Sequence, residues 1–284
     1  MKIISTISEL RREIRKPGSS PLGLVPTMGA LHEGHLSLTG RATTECPQIV
    51  VSIFVNPTQF NDKNDLKNYP RTLVADLDLL GRVLRNDDIV FTPEVEEMYP
   101  EEDTRIFTFG NLDRVMEALH RPGHFNGVAQ VVSKLFKIVS PDKAYFGIKD
   151  FQQLAVIKAL VKQMKSSIEI VPCPIIREKD GLAMSSRNRL LEPSIREKAS
   201  VIYLTIKKAS EMISGQEIAE INNFVIETIN NVPEFRVEYF EVADDVELIP
   251  VKTKHDLIPG RKYYGCIAVM AGKIRLIDNM DMKL

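Results

Sequence analysis

Residues 22–38 read LGLVPTMGALHEGHLSL and combine an apolar segment, a turn and a candidate helix. The apolar segment, Leu22 to Val25, has the length and composition of a buried strand. Proline at position 26 and glycine at positions 29 and 34 interrupt the apolar pattern directly after it. His32 and His35 lie three positions apart where the turn meets the candidate helix. The pattern predicts a β–α unit whose connecting turn carries two imidazoles.

Apolar segments and amphipathic segments alternate along the first 175 residues. Thr6 and Glu9 have capping-box spacing, which predicts a first helix over about residues 6–16. Nearly continuous apolar strands separated by helices are typical of a parallel sheet that is covered on both faces. We therefore expect a doubly wound, Rossmann-like α/β domain over residues 1–175. Its further predicted strands are 49–55, 88–91, 143–146 and 168–171, and its clearest predicted helices are 71–84, 126–139 and 150–164.

The sequence pattern changes near Pro172 and Pro174. Neither proline can lie in a central strand, so this segment is interpreted as a hinge. Two helical patterns follow, over about 194–213 and 217–230. After them, FRVEYFEV, YYGCIAVM and KIRLID are separated by turn residues and predict a small antiparallel sheet. We expect a smaller α+β domain over residues 176–284.

Composition narrows the class of protein. The 284 residues are 44% hydrophobic, and 37 basic and 38 acidic residues give a formal net charge of −1. This balance predicts no general attraction to nucleic acid or to an anionic membrane. The first sixteen residues lack a long apolar run, so we expect a cytoplasmic protein. The three scattered cysteines predict neither a disulfide framework nor a zinc site, and we interpret them as buried apolar residues.

The turn after the first predicted strand has several interpretations. Gly29 and Gly34 have P-loop spacing, but the lysine and hydroxyl of that motif are absent. His32 and His35 without a third ligand are weak support for zinc, and two ordinary histidines in a glycine-rich turn remain an alternative. Ligands of open parallel sheets bind at the carboxyl ends of the strands, where a following helix offers free N–H groups to an anion. Two imidazoles there suit nucleotidyl transfer.

The segment from His32 to His35 resembles the H-x-G-H signature of the nucleotidyltransferase superfamily. AMSSRNRLL, residues 183–191, resembles that superfamily's mobile phosphate-contacting loop, although an ordinary polar helix-entry loop would look similar. PTMGALHEGH, SIFVNPTQF, YFGIKDFQQL and REKDGLAMSSRN together closely resemble the pantoate-β-alanine ligase (pantothenate synthetase) family. These motifs extend from residue 26 to 188. Residues 190–284 carry no comparably specific motif.

The resemblance implies an ATP-dependent ligase that condenses (R)-pantoate with β-alanine through a pantoyl-adenylate intermediate, releasing AMP and pyrophosphate. It implies ATP as substrate with Mg²⁺ and a homodimer. No nucleic-acid or membrane partner is expected. His35, which the family treats as general acid, and His32 are the catalytic candidates. The residues implied to bind ATP are Met28, Gly29, Ala30, Leu31, His32, Glu33, Gly34, His35, Gly147, Ile148, Lys149, Asp150, Ile176, Met184, Ser185, Ser186 and Arg187.

Gln59 and Gln153 are the candidates for pantoate binding, because neutral amides bind hydroxyls without adding a cation near the reacting carboxylate. Two solvated glutamines are the alternative interpretation. Lower-ranked supporting residues are Asn56, Tyr69, Arg121 and His124.

Two positions depart from the family pattern. Ala75 precedes Asp76 where the family commonly has two acids, so we assign no metal ligand and expect Mg²⁺ to rest on ATP oxygens and water. Ile148 replaces an acidic residue or glutamine, so only its backbone is expected to matter. Three rival functions differ from the ligase: an adenylyltransferase that moves AMP onto a phosphate, an aminoacyl-tRNA synthetase, and a non-enzymatic nucleotide sensor.

Overall fold

A computed structural model describes residues 1–14 and 21–283 and contains two separate sheets. The larger sheet has six strands in the order β1-β4-β3-β2-β5-β6, and every neighbouring pair is parallel. Helices connect its strands, so the predicted doubly wound α/β fold is confirmed. The strands are β1 (Lys2–Ile4), β2 (Leu22–Thr27), β3 (Gln48–Ile53), β4 (Ile89–Phe91), β5 (Lys143–Gly147) and β6 (Glu169–Cys173).

Apolar residues cover both faces of this sheet because successive side chains of a strand point to opposite sides. Leu24 and Val50 belong to one apolar cluster, whereas Val25 and Val51 belong to another. The central strands are therefore buried on both faces, as a parallel sheet requires. The helices of this part are α1 (Ile7–Glu13), α2 (Glu33–Glu45), α3 (Lys63–Asn68), α4 (Leu73–Leu80), α5 (Val95–Met98), α6 (Glu117–His120), α7 (His124–Val139) and α8 (Phe151–Gln163), with 3-10 turns at Pro57–Gln59 and Gly110–Asp113.

The smaller sheet has three antiparallel strands and its own apolar cluster, which confirms the predicted α+β character of this part. Three helices precede it and pack their isoleucines against it. The elements are α9 (Pro193–Lys198), α10 (Ser200–Met212), α11 (Ile218–Asn230), β7 (Phe235–Asp244), β8 (Tyr263–Ala271) and β9 (Ile274–Asp281), with 3-10 turns at Ser186–Leu190 and Lys254–Asp256.

Several boundaries differ from the predicted ones. The edge strand β1 was not predicted, because its three residues carry no distinct pattern. Pro172 lies inside β6, one residue beyond the predicted strand; β6 is the other edge of the sheet, where a proline costs no ladder hydrogen bond. Thr6 caps α1 as predicted, by accepting a bond from the Glu9 N–H, but α1 ends at Glu13. Residues 15 and 16 of the predicted helix lie outside the described residues.

The three cysteines are free and buried, as predicted. No helix in the described part of the chain has the length and apolar character needed to span a membrane.

Candidate active site

A large cavity opens at the carboxyl ends of β2 and β5, between the turn into α2 and the segment after β6. Its position follows from the topology, because β2 and β5 are neighbours in the sheet and their following turns lie side by side. The cavity brings together most of the residues selected from the sequence. Those that line it are Met28, His32, Gly34, His35, Gln59, Gly147, Lys149, Asp150, Gln153, Ile176, Met184, Ser185, Ser186 and Arg187, together with Asn56 and Tyr69.

Gly29, Ala30 and Leu31 do not line the cavity but form the turn that shapes it. The N–H groups of Ala30 and Leu31 donate to the Asp76 carboxylate at 3.0 and 2.8 Å. Ala30 has a φ of +49°, an uncommon conformation that these two bonds help to hold. Asp76 is 2% exposed and also accepts a bond from the Thr72 hydroxyl at 3.1 Å. Asp76 therefore stabilises the turn through these hydrogen bonds, a role that the sequence alone did not indicate.

Glu33 and Ile148 also lie outside the cavity lining. The Glu33 side chain is exposed, 3.8 Å from Arg82. The Ile148 N–H donates to the Cys173 carbonyl, and its own carbonyl accepts a bond from the Asn279 amide at 2.8 Å. The same amide donates to the Lys149 carbonyl at 3.0 Å. Asn279 of β9 thus fixes the turn that carries Lys149, and no local pattern near residue 148 pointed to it.

His32 and His35 share a hydrogen-bonded arrangement at the beginning of α2. His32 is the N-cap residue, and its Nδ1 accepts a bond from the Gly34 N–H at 3.1 Å. His35 Nδ1 accepts a bond from the His32 N–H at 3.3 Å. Because each Nδ1 is an acceptor, the neutral imidazoles carry their proton on Nε2. Each ring therefore offers an Nε2–H donor.

Both imidazoles are neutral at physiological pH. Burial, with the neighbouring Lys149 and Arg189 charges acting in the same direction, lowers the pKa of His32 to about 4. Burial, with His32 and Lys149 beside it, lowers the pKa of His35 to about 3. The pair can therefore donate to an anionic oxygen without adding formal charge to the site.

Gly34 is required by the close approach of the His32 ring. A Cβ at position 34 would lie 2.8 Å from the ring atoms Cε1 and Nδ1 of His32. Any larger residue would displace the ring and weaken the N-cap.

A second region of the cavity is neutral and largely apolar. Gln59 is 7% exposed, and its Oε1 accepts a bond from the Asn56 amide at 3.2 Å. The Asn56 amide also donates to the Gly127 carbonyl at 3.1 Å, and the Tyr99 hydroxyl donates to Asn56 Oδ1 at 2.8 Å. Asn56 therefore orients Gln59, and Tyr99 was missed by sequence reasoning. The adjoining apolar wall consists of Phe54, Val128, Val131, Val132 and Leu135.

Two cations also line the cavity, Lys149 and Arg187. Lys149 lies 4.0 Å from the Asp150 carboxylate, and Arg187 lies 3.0 Å from the Asp65 carboxylate. Ser185 caps the 3-10 turn that carries Arg187, and the Arg187 guanidinium lies 5.7 Å from the centre of the Tyr69 ring. The cavity thus combines two cations suited to an anionic ligand with amides and apolar side chains suited to a neutral group.

The segment from 176 to 184 forms a short antiparallel connection beside the cavity. The Met184 N–H donates to the Ile176 carbonyl at 3.0 Å, and Arg177 pairs with Ala183 as an isolated β-bridge. The Arg177 guanidinium donates to the buried Asp278 carboxylate of β9 at 2.6 and 3.0 Å. This ion pair holds the segment that carries Ile176 and Met184 against the antiparallel sheet.

The described residues contain no cluster of three or more histidine, cysteine, aspartate or glutamate side chains suited to a metal ion. Among the described lining residues, Asp150 supplies the carboxylate. Arg121 and His124, the lower-ranked candidates for supporting the pantoate pocket, line a smaller adjoining cavity, and His124 Nδ1 lies 2.9 Å from the Gln59 carbonyl oxygen.

Comparison with known proteins identifies the family of this chain. The family model described as pantoate-beta-alanine ligase matches residues 2–281. The chain is 51% identical to the pantothenate synthetase of Bacteroides thetaiotaomicron over 285 residues, covering 100% of this chain and 99% of that protein. It is 52% identical to the pantothenate synthetase of Phocaeicola vulgatus, with 100% of both chains covered.

Solved structures agree with these sequence relatives. The crystal structure of pantothenate synthetase from Thermus thermophilus matches with a TM-score of 0.92 and 41% identity, covering 100% of both chains. Pantoate-beta-alanine ligase from Francisella tularensis, in complex with beta-gamma ATP and beta-alanine, matches with a TM-score of 0.80 and 33% identity, covering 100% of this chain and 98% of that one. The chain belongs to the pantoate-β-alanine ligase family.

Proposed function

We propose that this chain condenses (R)-pantoate with β-alanine to pantothenate, using ATP and releasing AMP and pyrophosphate. The observation that carries the proposal is one cavity that combines two neutral Nε2–H donors, His32 and His35, with the cations Lys149 and Arg187 and the amides of Gln59 and Gln153. The Francisella relative in complex with beta-gamma ATP and beta-alanine supports the assignment of both substrates.

In the first step, a pantoate carboxylate oxygen attacks the α-phosphorus of ATP, and the bond from that phosphorus to pyrophosphate breaks. Negative charge builds on the phosphate oxygens as pyrophosphate departs with the bonding electrons. Lys149 and Arg187 offset that charge, while His32 and His35 donate hydrogen bonds through Nε2. The residues act by positioning and charge stabilisation, so no covalent enzyme intermediate is needed.

In the second step, the β-alanine amine attacks the acyl carbon of pantoyl adenylate. The bond from that carbon to the adenylate oxygen breaks, AMP leaves with this oxygen, and the nitrogen loses a proton as the amide forms.

The remaining predicted ATP contacts divide into two groups in this proposal. The residues that line the cavity surround the nucleotide: Gly147, Asp150, Ile176, Met184, Ser185 and Ser186. The residues outside the lining act through the shape of their turns: Gly29, Ala30, Leu31, Glu33 and Ile148.

We place the pantoate in the neutral region. Its two methyl groups would face the apolar wall, and its hydroxyls and one carboxylate oxygen would face the amides of Gln59 and Gln153. Asn56 holds Gln59 in place for this contact.

Replacing either glutamine by leucine is expected to raise the half-saturating pantoate concentration by roughly 10- to 100-fold, because the pantoate hydroxyls would be buried without partners. ATP affinity should change little. Pantoate-dependent exchange between pyrophosphate and ATP measures both substrates in one assay. Gln216→Leu, at an exposed position outside the cavity, is the matched control. Normal pantoate binding with loss of ATP binding in Gln59→Leu and Gln153→Leu would show that the two substrates have been placed the wrong way round.

Mg²⁺ accompanies ATP in this proposal rather than occupying a protein cage. Asp76 is already bonded to two backbone N–H groups, and Ala75 is exposed outside the cavity, so neither supplies a ligand at the phosphate end. Asp150 is the carboxylate among the described lining residues, which fits an ion held mainly by phosphate oxygens and water.

Pantoate carrying heavy oxygen in its carboxylate tests which bond breaks. Adenylation requires that one labelled oxygen appears in AMP after a single turnover, because the carboxylate oxygen stays with the phosphorus. An ADP-forming ligase would place the label in inorganic phosphate, and a nucleotide sensor would release no product. Mass spectrometry of the nucleotide separates these outcomes, and unlabelled AMP would contradict the proposed chemistry.

We also propose a cytoplasmic homodimer, as the family resemblance implies. Residues 1–175 and 176–284 are proposed as two domains, hinged after β6 at Pro174, whose closure brings Ser185 to Arg187 onto the phosphates. The bond from Arg187 to Asp65 supports this contact between the second domain and the first.

A further inference from the structure

The 3-10 turn Ser186–Leu190 carries two arginines that reach different parts of the first domain. Arg187 lines the main cavity, whereas Arg189 lies outside its lining. Side chains two positions apart on a 3-10 helix diverge by about 120°, since the helix has three residues per turn. Any contribution of Arg189 to the reaction must therefore be made from outside the cavity.

Arg189 forms a hydrogen bond with the turn that precedes α2. Its Nη2 donates to the Leu31 carbonyl oxygen at 3.3 Å, across 158 positions of the chain. Among the described residues, this oxygen is the one hydrogen-bond acceptor of Arg189, and no carboxylate there pairs with it. Arg187, in contrast, lies 3.0 Å from the Asp65 carboxylate. The Arg189 charge is therefore not offset by a protein anion, and a charged donor polarises its acceptor more strongly than a neutral one.

The Leu31 carbonyl belongs to the same peptide group as the His32 N–H. That N–H donates to His35 Nδ1 at 3.3 Å, and His35 therefore carries its proton on Nε2. A continuous chain of polar groups thus runs from the Arg189 guanidinium, through one peptide group and one imidazole, to an N–H that faces the cavity. Hydrogen bonds in such a chain strengthen one another, because each bond polarises the next.

The shape of the turn does not depend on Arg189. The Leu31 N–H already donates to the buried Asp76 carboxylate at 2.8 Å. What Arg189 adds is a positive charge at the carbonyl side of the His32 peptide. The low pKa of His32, about 4, agrees with such a charge: burial is its largest cause, followed by Lys149 and then by Arg189.

We propose that Arg189 is a positioning residue that strengthens the Nε2–H donor of His35 through the intervening peptide group. The inference rests on the proposed function and adds to it a residue outside the cavity. Because Arg189 belongs to the segment 183–191, the donor is at full strength only when that segment is seated on the turn before α2. Seating of the segment and stabilisation of the transition state are thereby linked through one bond.

The first test measures pantoate-dependent exchange between pyrophosphate and ATP in Arg189→Met, which keeps the aliphatic stem and removes the charge and the donors. We expect the maximal exchange rate to fall by roughly 10-fold, less than for loss of the His35 donor itself, because the effect passes through one peptide group. The half-saturating concentrations of ATP and pantoate should stay within about twofold of wild type, since the bond acts on the transition state. Arg189→Lys, which keeps the charge, should recover part of the rate. Arg236→Met, at an exposed position of β7, is the matched control.

The second test repeats Arg189→Met in a His35→Asn protein. Asparagine can accept from the His32 N–H but offers no donor at the position of Nε2, so the chain of polar groups then ends without a donor to strengthen. Arg189→Met should therefore cost less than about twofold in this background, and the two substitutions should be strongly non-additive.

Three results would overturn the inference. The first is an unchanged maximal rate in Arg189→Met. The second is an equal loss with and without His35, since Arg189 would then act on the fold. The third is a loss that appears only as weaker binding of ATP or pantoate, since Arg189 would then act on the ground state. Absence of pantoate-dependent exchange in the wild type would instead overturn the proposed function and this inference with it.

Discussion

Replacing His35 by asparagine is expected to lower kcat by roughly 100- to 1000-fold, the range for removal of one preorganised donor from a site where charge develops. Asparagine places an acceptor oxygen near the position of Nδ1, so it can keep the bond from the His32 N–H that caps α2. It has no group that reaches the position of Nε2. The substitution therefore removes the donor and preserves the cap, and the free energy of unfolding should stay within about 1 kcal/mol of wild type, since asparagine and histidine have similar helix propensities.

Steady-state kinetics and chemical denaturation check this pair of expectations. His35→Gln is the complementary variant, because its amide reaches toward Nε2 but leaves the cap without its acceptor. It should be less stable than His35→Asn and more active. His255→Asn, at an exposed position, controls for general effects of the substitution. Near-normal turnover in His35→Asn would contradict the assignment of His35 to the transition state.

Gly127→Ala is expected to lower the free energy of unfolding by about 3 kcal/mol, the upper part of the range for overpacked sites. Gly127 lies in α7, where a Cβ would approach the Thr58 carbonyl oxygen to 2.4 Å and Gln59 Cα to 2.6 Å. These are backbone atoms, so no side chain can rotate away. The Pro57–Gln59 turn must move, and Gln59 moves with it, so pantoate binding should weaken as well.

Gly40→Ala is the matched control for Gly127→Ala. Gly40 also lies in a helix, α2, but a Cβ there meets nothing within 4 Å. Alanine at position 40 should raise the free energy of unfolding by about 0.5–1 kcal/mol through helix propensity alone. Denaturation with urea and pantoate titration measure both effects. A Gly127→Ala protein with wild-type stability and pantoate affinity would contradict the described contact between α7 and the turn.

The alternation of strands and helices could be predicted because strands buried on both faces, such as β2, β3 and β5, have nearly continuous runs of apolar residues. The edge strands were harder to predict from the sequence, because an edge strand is less apolar than a central one and can contain a proline, as β6 contains Pro172. β1 has three residues, too few for any period to be visible.

The candidate site was predictable where function depends on local chemistry and spacing, as at His32 and His35. It was not predictable where support comes from distant residues. Asp76 lies 45 and 46 positions from the turn it holds, and its signal was a lone carboxylate on the buried face of an apolar helix. Tyr99 lies 43 positions from Asn56, and nothing in its neighbourhood marks it as part of the site.

The two bonds from Asn279 to the carbonyls of Ile148 and Lys149 join positions 131 and 130 residues apart. During synthesis, all strands of the parallel sheet leave the ribosome before β9 does, because chains are made from the amino terminus. The nascent chain can therefore pair its parallel strands while the turn that carries Lys149 still lacks its partner. Completion of the turn that carries Lys149 consequently waits for translation of β9.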